Sequence, residues 1–295
     1  MTSARCSATQ RPTSWWLEIL RRRAQRMDHD APDLSQPIAW RDDTEHRAAI
    51  KFFNAAFRAE ESGLRQAHEL SSEVARWDPD LAEVLRLYGD EEGWHRQLLG
   101  DFLRYLGGSV EPMGRVTRTL YRLYGRADRM ETIVLTNLMF ELIGSTTYRL
   151  ALRNVKHPAA RQMLTILTRD ESFHVPLNVH FLRHVLSRVP AGRRRRLKLL
   201  HKLLFLSLIA LPLASRPKAR AFDAIPTAEL ARAYARELAR LFAHEPDLEL
   251  TPPWAVLRLL GIRPRQVLEG NAVSAASIEA AEQSADRARV EVTAL

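Results

Sequence analysis

Cysteine is almost missing from this chain. Cys6 is the only one in 295 residues, which excludes an intramolecular disulfide framework and any CxxC zinc or rubredoxin-type iron site. Glycine is scarce, with 12 residues, and the long segments are rich in Leu, Ala, Arg and Glu. Such a chain is predicted to be all-α. The most apolar run, 199–214, falls short of the ~20 residues that cross a bilayer, and Lys202 and Pro212 interrupt it. The first residues hold Arg5, Arg11 and Trp15-Trp16 but no apolar core followed by a cleavage site. No secretory leader is therefore expected, and a cytoplasmic, reducing compartment is.

What is present in excess is positive charge. The net charge is +9 and it is uneven: Arg193 to Arg196 form a solid run, with Lys198, Lys202, Arg216, Lys218 and Arg220 beyond it. Such a run serves either as a solvated helix end or as a surface attractive to polyanions. The second reading gives peripheral contact with the inner face of a membrane through 192–220, with nucleic acid as the less favoured partner.

Proline and turn signals divide the chain. Residues 1–43 read as a loosely held arm broken by Pro12, Pro32 and Pro37, with a short amphipathic helix within Trp15 to Arg26. A first long helix is predicted from Thr44 to about Trp77. Asp78-Pro79-Asp80 makes a turn with an N-cap, and a second helix follows from Leu81 to about Leu106, ended by Gly107-Gly108. After a crossover holding a short helix over Val116 to Tyr124, a third runs from Met130 to Asn154. His157-Pro158 turns into a fourth, from Ala159 to about Val189, with Pro176 placed to kink it. Residues 44–190 thus read as two helical hairpins joined by a crossover. Residues 191–270 read as a basic and apolar helical extension: 199–214 is favoured as a packed fifth helix over an interfacial one, and 227–244 is amphipathic. A loose tail, 271–295, is expected to follow.

The chemistry sits in a repeated motif. Glu171-Ser172-Phe173-His174 is Glu-x-x-His, preceded by Asp170; Glu92-Gly93-Trp94-His95 repeats it, preceded by Glu91. On a helix, i and i+3 share a face and can grip one metal ion. Each copy lies 13 residues after a proline, Pro79 or Pro158, and each follows a glutamate, Glu61 by 31 residues and Glu141 by 30. Glu60 competes with Glu61 for the inward position; Glu61 is preferred. Glu141 is flanked by Leu138, Met139, Phe140, Leu142 and Ile143, so its carboxylate points into apolar surroundings and needs a cation. The predicted ligands are therefore Glu61, Glu92, His95, Glu141, Glu171 and His174. Four carboxylates balance two divalent ions, and mixed carboxylate and imidazole donors suit iron or manganese. Glu92 and Glu171 are expected at the centre, with one histidine per ion. Helical phase adds Tyr88, Tyr148, Asn178 and His68 as possible pocket residues. It offers no seventh ligand, since His180 points away and His184 lies at the margin.

Over about 45–190, these two (D/E)-E-x-x-H motifs resemble the ferritin-like di-iron carboxylate superfamily. The resemblance implies a ferritin-like four-helix bundle, a cofactor of two iron ions (manganese or a mixed pair as the alternative), and roles for Asp170 and Glu91 as hydrogen-bond partners of the ligand histidines. It further implies an oxidoreductase that uses dioxygen to oxidise or hydroxylate a small organic substrate. The alternatives are a ferroxidase, peroxidase or manganese-catalase-like protein, and a non-enzymatic bundle that binds membrane or RNA.

Overall fold

The computed structural model describes residues 11–25, 27, 31–114, 118–119, 129–214 and 225–269. Among them are nine α-helices, one 3-10 turn (Pro246–Leu248) and no strand. The tail 271–295 and Arg216, Lys218 and Arg220 lie outside the described residues, as does nearly all of Val116 to Tyr124.

The longest elements are two hairpins. Helix α2 (Asp43–Val74) starts where the Asp42 carboxylate accepts from the Thr44 and Glu45 amides, both at 2.8 Å. Those amides have no partner inside the helix, so the cap stabilises its first turn by about 1 kcal/mol. Asp78 does the same for α3 (Pro79–Tyr105), accepting from Leu81 N at 3.0 Å, and Pro79 fits a first turn that needs no amide. Helix α4 (Met130–Asn154) and α5 (Pro158–Leu186) form the second hairpin, and α5 continues through Pro176. α2 packs on α3 along its length, α4 packs on α5, and α2 meets α4.

The short helix expected within the N-terminal segment packs against the hairpins rather than lying loose. Helix α1 (Thr13–Ala24) packs on α3 and buries Trp16, Ile19, Leu20 and Arg23. These residues recur at i, i+3, i+4 and i+7, the apolar stripe of an amphipathic helix, and Arg23 sits on that stripe. Beyond the hairpins, Pro190 leads into α6 (Ala191–Ala214), which takes the whole arginine run into its first turns. α7 (Thr227–His244) packs on α6 and α4, and the short helices α8 (Trp254–Leu259) and α9 (Pro264–Leu268) close the described chain. No helix among the described residues is long and apolar enough to cross a membrane.

Candidate metal centre

Four helices deliver carboxylates and imidazoles to one buried place. Glu60 comes from α2, Glu92 and His95 from α3, Glu141 from α4, and Glu171 and His174 from α5. Their donor atoms form two overlapping groups, Glu60–Glu92–His95–Glu171 and Glu92–Glu141–Glu171–His174, each with atoms within 4.8 Å of one another. The groups share Glu92 and Glu171. Oε1 of Glu171 lies 3.9 Å from Nδ1 of His95 and Oε2 lies 3.8 Å from Nδ1 of His174. Nδ1 of His95 is also 3.5 Å from Glu60, and Nδ1 of His174 is 3.0 Å from Glu92 and 3.6 Å from Glu141. The two rings are 5.8 Å apart, centroid to centroid.

These atoms fit a metal better than they fit one another. Nδ1 of both histidines and Oε1 of Glu92 are buried without a hydrogen bond. Buried polar atoms are normally satisfied, and these three belong to donor groups that could hold a metal ion. The opposite nitrogens are satisfied, and reciprocally. Nε2 of His95 on α3 meets Asp170 of α5 at 3.2 Å, and Nε2 of His174 on α5 meets Glu91 of α3 at 3.3 Å. A carboxylate on one ring nitrogen fixes the proton there and turns the other lone pair towards a metal.

Asp170 and Glu91 are in turn held by Arg23, which is 1% exposed. Its Nη2 donates to both, to Asp170 Oδ1 at 2.9 Å, and its Nε donates to Glu91 at 3.3 Å. Arg169 adds a second contact to Asp170 at 2.7 Å. Glu91, His95 and Asp170 also lie close enough to hold an ion, but the guanidinium already fills that charge position. Burial alone would push both carboxyls up; Arg23 reverses this, holding Glu91 near about 2 and Asp170 well below its usual value. Both therefore stay ionised and keep accepting from the histidines.

Glu92, Glu171, Glu141 and His95 behave differently. Burial, then the charges of Glu60 and Glu141, pushes Glu92 well up; burial, then Glu141 and Glu60, does the same to Glu171. Glu141 is held down at about 2 against its burial by Glu171, by nearby His174, and by the Tyr88 hydroxyl that donates to it. Burial opposes charge on His95, yet Asp170 and Glu60 raise it to about 10. Without metal, protons thus stand in for the missing positive charge. Metal uptake must expel them, since ligands bind deprotonated. The sign follows: raised values favour the protonated forms, which compete with metal, so apparent metal affinity rises with pH and falls on acidification. Titration calorimetry with ferrous ion under anaerobic conditions, in two buffers of different ionisation enthalpy, should report net proton release at pH 7.

The sequence expectation of Glu61 is corrected. Glu61 is 38% exposed and pairs with Arg58 at 2.6 Å and Arg96 at 3.5 Å. Glu60, 3% exposed, turns inward because it continues the buried stripe of α2 through Phe53, Ala56, Gly63, Ala67 and Leu70. Glu60→Ala is expected to lower metal content per chain, while Glu61→Ala leaves it unchanged; elemental analysis after loading compares them. His68 is corrected too: it lies at the surface, 45% exposed, 3.1 Å from Asp90. Asn178 is buried but binds the His174 carbonyl of its own helix at 3.0 Å. Tyr88 and Tyr148 do reach the cluster. Tyr88 donates to Glu141 Oε1 at 2.6 Å, and Tyr148 to Glu60 Oε1 at 3.2 Å. His180 and His184 belong to neither group; His184 pairs with Asp78 at 3.0 Å.

Gly63 keeps α2 close to the centre. A Cβ there would stand 2.7 Å from Glu92 Oε2. Alanine favours the helix by about 1 kcal/mol, and without metal the end of Glu92 can swing aside. Gly63→Ala should therefore leave the metal-free melting temperature no lower while weakening metal binding by roughly tenfold or more; thermal denaturation and metal titration on the same variant check both halves.

Compared with protein-family profiles, curated proteins and solved structures, the chain matches none.

Proposed function

We propose that the chain is a di-iron carboxylate oxidoreductase that activates dioxygen to oxidise or hydroxylate a small organic substrate. The observation that carries the proposal is the Glu171 carboxylate, which offers one oxygen to the side of His95 and the other to the side of His174. In this reading the hairpins α2–α3 and α4–α5 form a ferritin-like four-helix bundle. Glu60 and His95 would hold one ion, Glu141 and His174 the other, and Glu92 and Glu171 both. Carboxylate and imidazole donors together suit iron or manganese. A pair of ferrous ions would supply the electrons that dioxygen needs.

The protein's own share is positioning and exclusion. Asp170 and Glu91 keep the protons on Nε2 and so present Nδ1. Tyr88 and Tyr148 fix the carboxylates of Glu141 and Glu60 and leave phenolic protons at the edge of the site. Burial keeps bulk water out. Among the inner carboxylates only Glu141 is partly exposed, at 10%. Gly144, one turn further along α4, packs beside Glu171: a Cβ there would be in ordinary van der Waals contact with Oε2 at 3.9 Å. The Glu141 side is the one from which a small substrate would enter.

The test is anaerobic loading with ferrous ion, followed by isotopically labelled dioxygen, a reductant and a small-molecule extract. Two ferrous ions per chain and label in an organic product support the proposal. Oxygen use without labelled product in any fraction turns the reading to metal oxidation or peroxide removal, and manganese in the protein as isolated turns it to the catalase-like alternative. A chain that binds neither metal ends it.

A further inference from the structure

Helix α6 has two apolar faces, and among the described residues only one is covered. Leu197, Leu204, Phe205, Leu208 and Ile209 are buried against the rest of the chain. Leu199, Leu203, Leu206 and Leu213 are 63%, 55%, 43% and 66% exposed. These four follow one another at helical spacing, with exposed Ala210 filling the remaining step. They make one continuous stripe, about 21 Å long at 1.5 Å per residue. Isolated exposed leucines are ordinary; an aligned row marks a contact surface.

The charges beside the stripe say what the contact is. Taking about 100° per residue, Arg195, Arg196 and Lys202 project within about 60° of its centre. All three are exposed, and none has a carboxylate partner among the described residues. Their neighbours on the other faces do: Arg193 meets Glu131 at 2.6 Å, and Lys198 meets Glu249 at 2.7 Å. The helix contains no Asp or Glu at all. Four arginines also occupy its N-terminal turns, where the helix dipole disfavours cations. A second copy laid along this seam would bring two acid-free cationic helices together. A nucleic acid would meet the cations but leave the leucines in water. An anionic lipid surface satisfies both at once.

We propose that α6 is an interfacial helix on which the protein docks to an anionic bilayer surface. Leu199, Leu203, Leu206 and Leu213 enter the acyl boundary, and Arg195, Arg196 and Lys202 meet lipid phosphates. The helix lies in the plane of the surface and does not cross it. The inference stands on α6 alone and does not depend on the chemistry of the metal centre.

Flotation of the full chain with vesicles tests it. At low salt the protein should bind vesicles of phosphatidylglycerol mixed with phosphatidylcholine, and not pure phosphatidylcholine. The triple variant Arg195→Gln, Arg196→Gln, Lys202→Gln should bind about a hundredfold more weakly. Leu203→Ser with Leu206→Ser, checked for unchanged helicity and metal content, should lose about tenfold or more. No binding of the parent at low salt overturns the proposal. Binding that survives the leucine changes also overturns it, because the surface would then be a simple polyanion site of the kind RNA fills. So does a dimer in solution that the leucine changes split while vesicles remain unbound, since a second copy would then cover the stripe.

Discussion

Arg23→Met is expected to damage the protein twice over. Arg23 is a buried cation between two buried carboxylates, Glu91 and Asp170. Burial works against its charge, and those two carboxylates hold the charge on. Removing one partner of a buried ion pair strands the other, at about 3–5 kcal/mol. Arg169, still 2.7 Å from Asp170, softens the loss on that side only. The second effect is on metal: Glu91 without its cation drifts up towards protonation, stops accepting from His174, and releases that ring to rotate. Loss of such a partner typically lowers metal affinity about 10- to 100-fold. The two effects separate in the triple variant Arg23→Met, Glu91→Gln, Asp170→Asn. No buried charge is stranded there, so stability should largely return, measured by denaturant unfolding without metal. Affinity should stay low, because neutral amides hold the histidines less strongly. If affinity recovers along with stability, Arg23 is only a structural cation.

Much of this was legible in the chain, and the misses have physical causes. The hairpins were readable because caps and prolines mark their ends: Asp78 and Pro79 at one turn, Pro158 at the other. The duplicated Glu-x-x-His was readable because a three-residue spacing on a helix needs no knowledge of tertiary structure. Glu141 stood out by contrast with its apolar neighbours. Glu61 stands 31 residues before its motif, close to the 30 of the other hairpin, and Glu60 stands 32. Distance along the chain fixes an axial level, but helical phase fixes which side chain turns inward, and at adjacent positions that differs by about 100°. Phe53, Ala56, Gly63 and Ala67 carried the phase, and Arg58, one turn before Glu61, was its surface partner.

Arg23 was missed for another reason. Its partners lie 68 and 147 residues away, and no local pattern announces them. One signal existed: an arginine on the same stripe as Trp16, Ile19 and Leu20 is either solvated at a helix end or buried with an acid. The open stripe on α6 was hidden in the opposite sense. A run apolar on all sides suggests full burial, so the sequence favoured packing; only coordinates show that one face remains uncovered. Both cases are relations between elements, where sequence patterns carry least.

Glu171→Gln should be nearly silent in the metal-free protein and decisive once metal is added. Burial and the negative charges of Glu141 and Glu60 push the Glu171 carboxyl well up, which favours its neutral form when no metal is bound. Glutamine matches the neutral acid in size and hydrogen bonding, and metal-free stability should change by less than about 0.5 kcal/mol. With metal the demand reverses. Glu171 must then be an anion facing both histidines, and an amide supplies neither the charge nor a second donor oxygen. A ligand that binds only the folded state stabilises it by about 4 kcal/mol at a free concentration a thousandfold above its Kd. For a chain of this size that is a rise in melting temperature of roughly 10 °C. The parent should show such a rise with ferrous ion and Glu171→Gln should not, with both ions lost. Glu141 belongs to only one group, so Glu141→Gln should keep one ion and part of the rise. Equal losses from the two variants would mean that Glu171 is not shared, and that the centre holds its ions independently or holds only one.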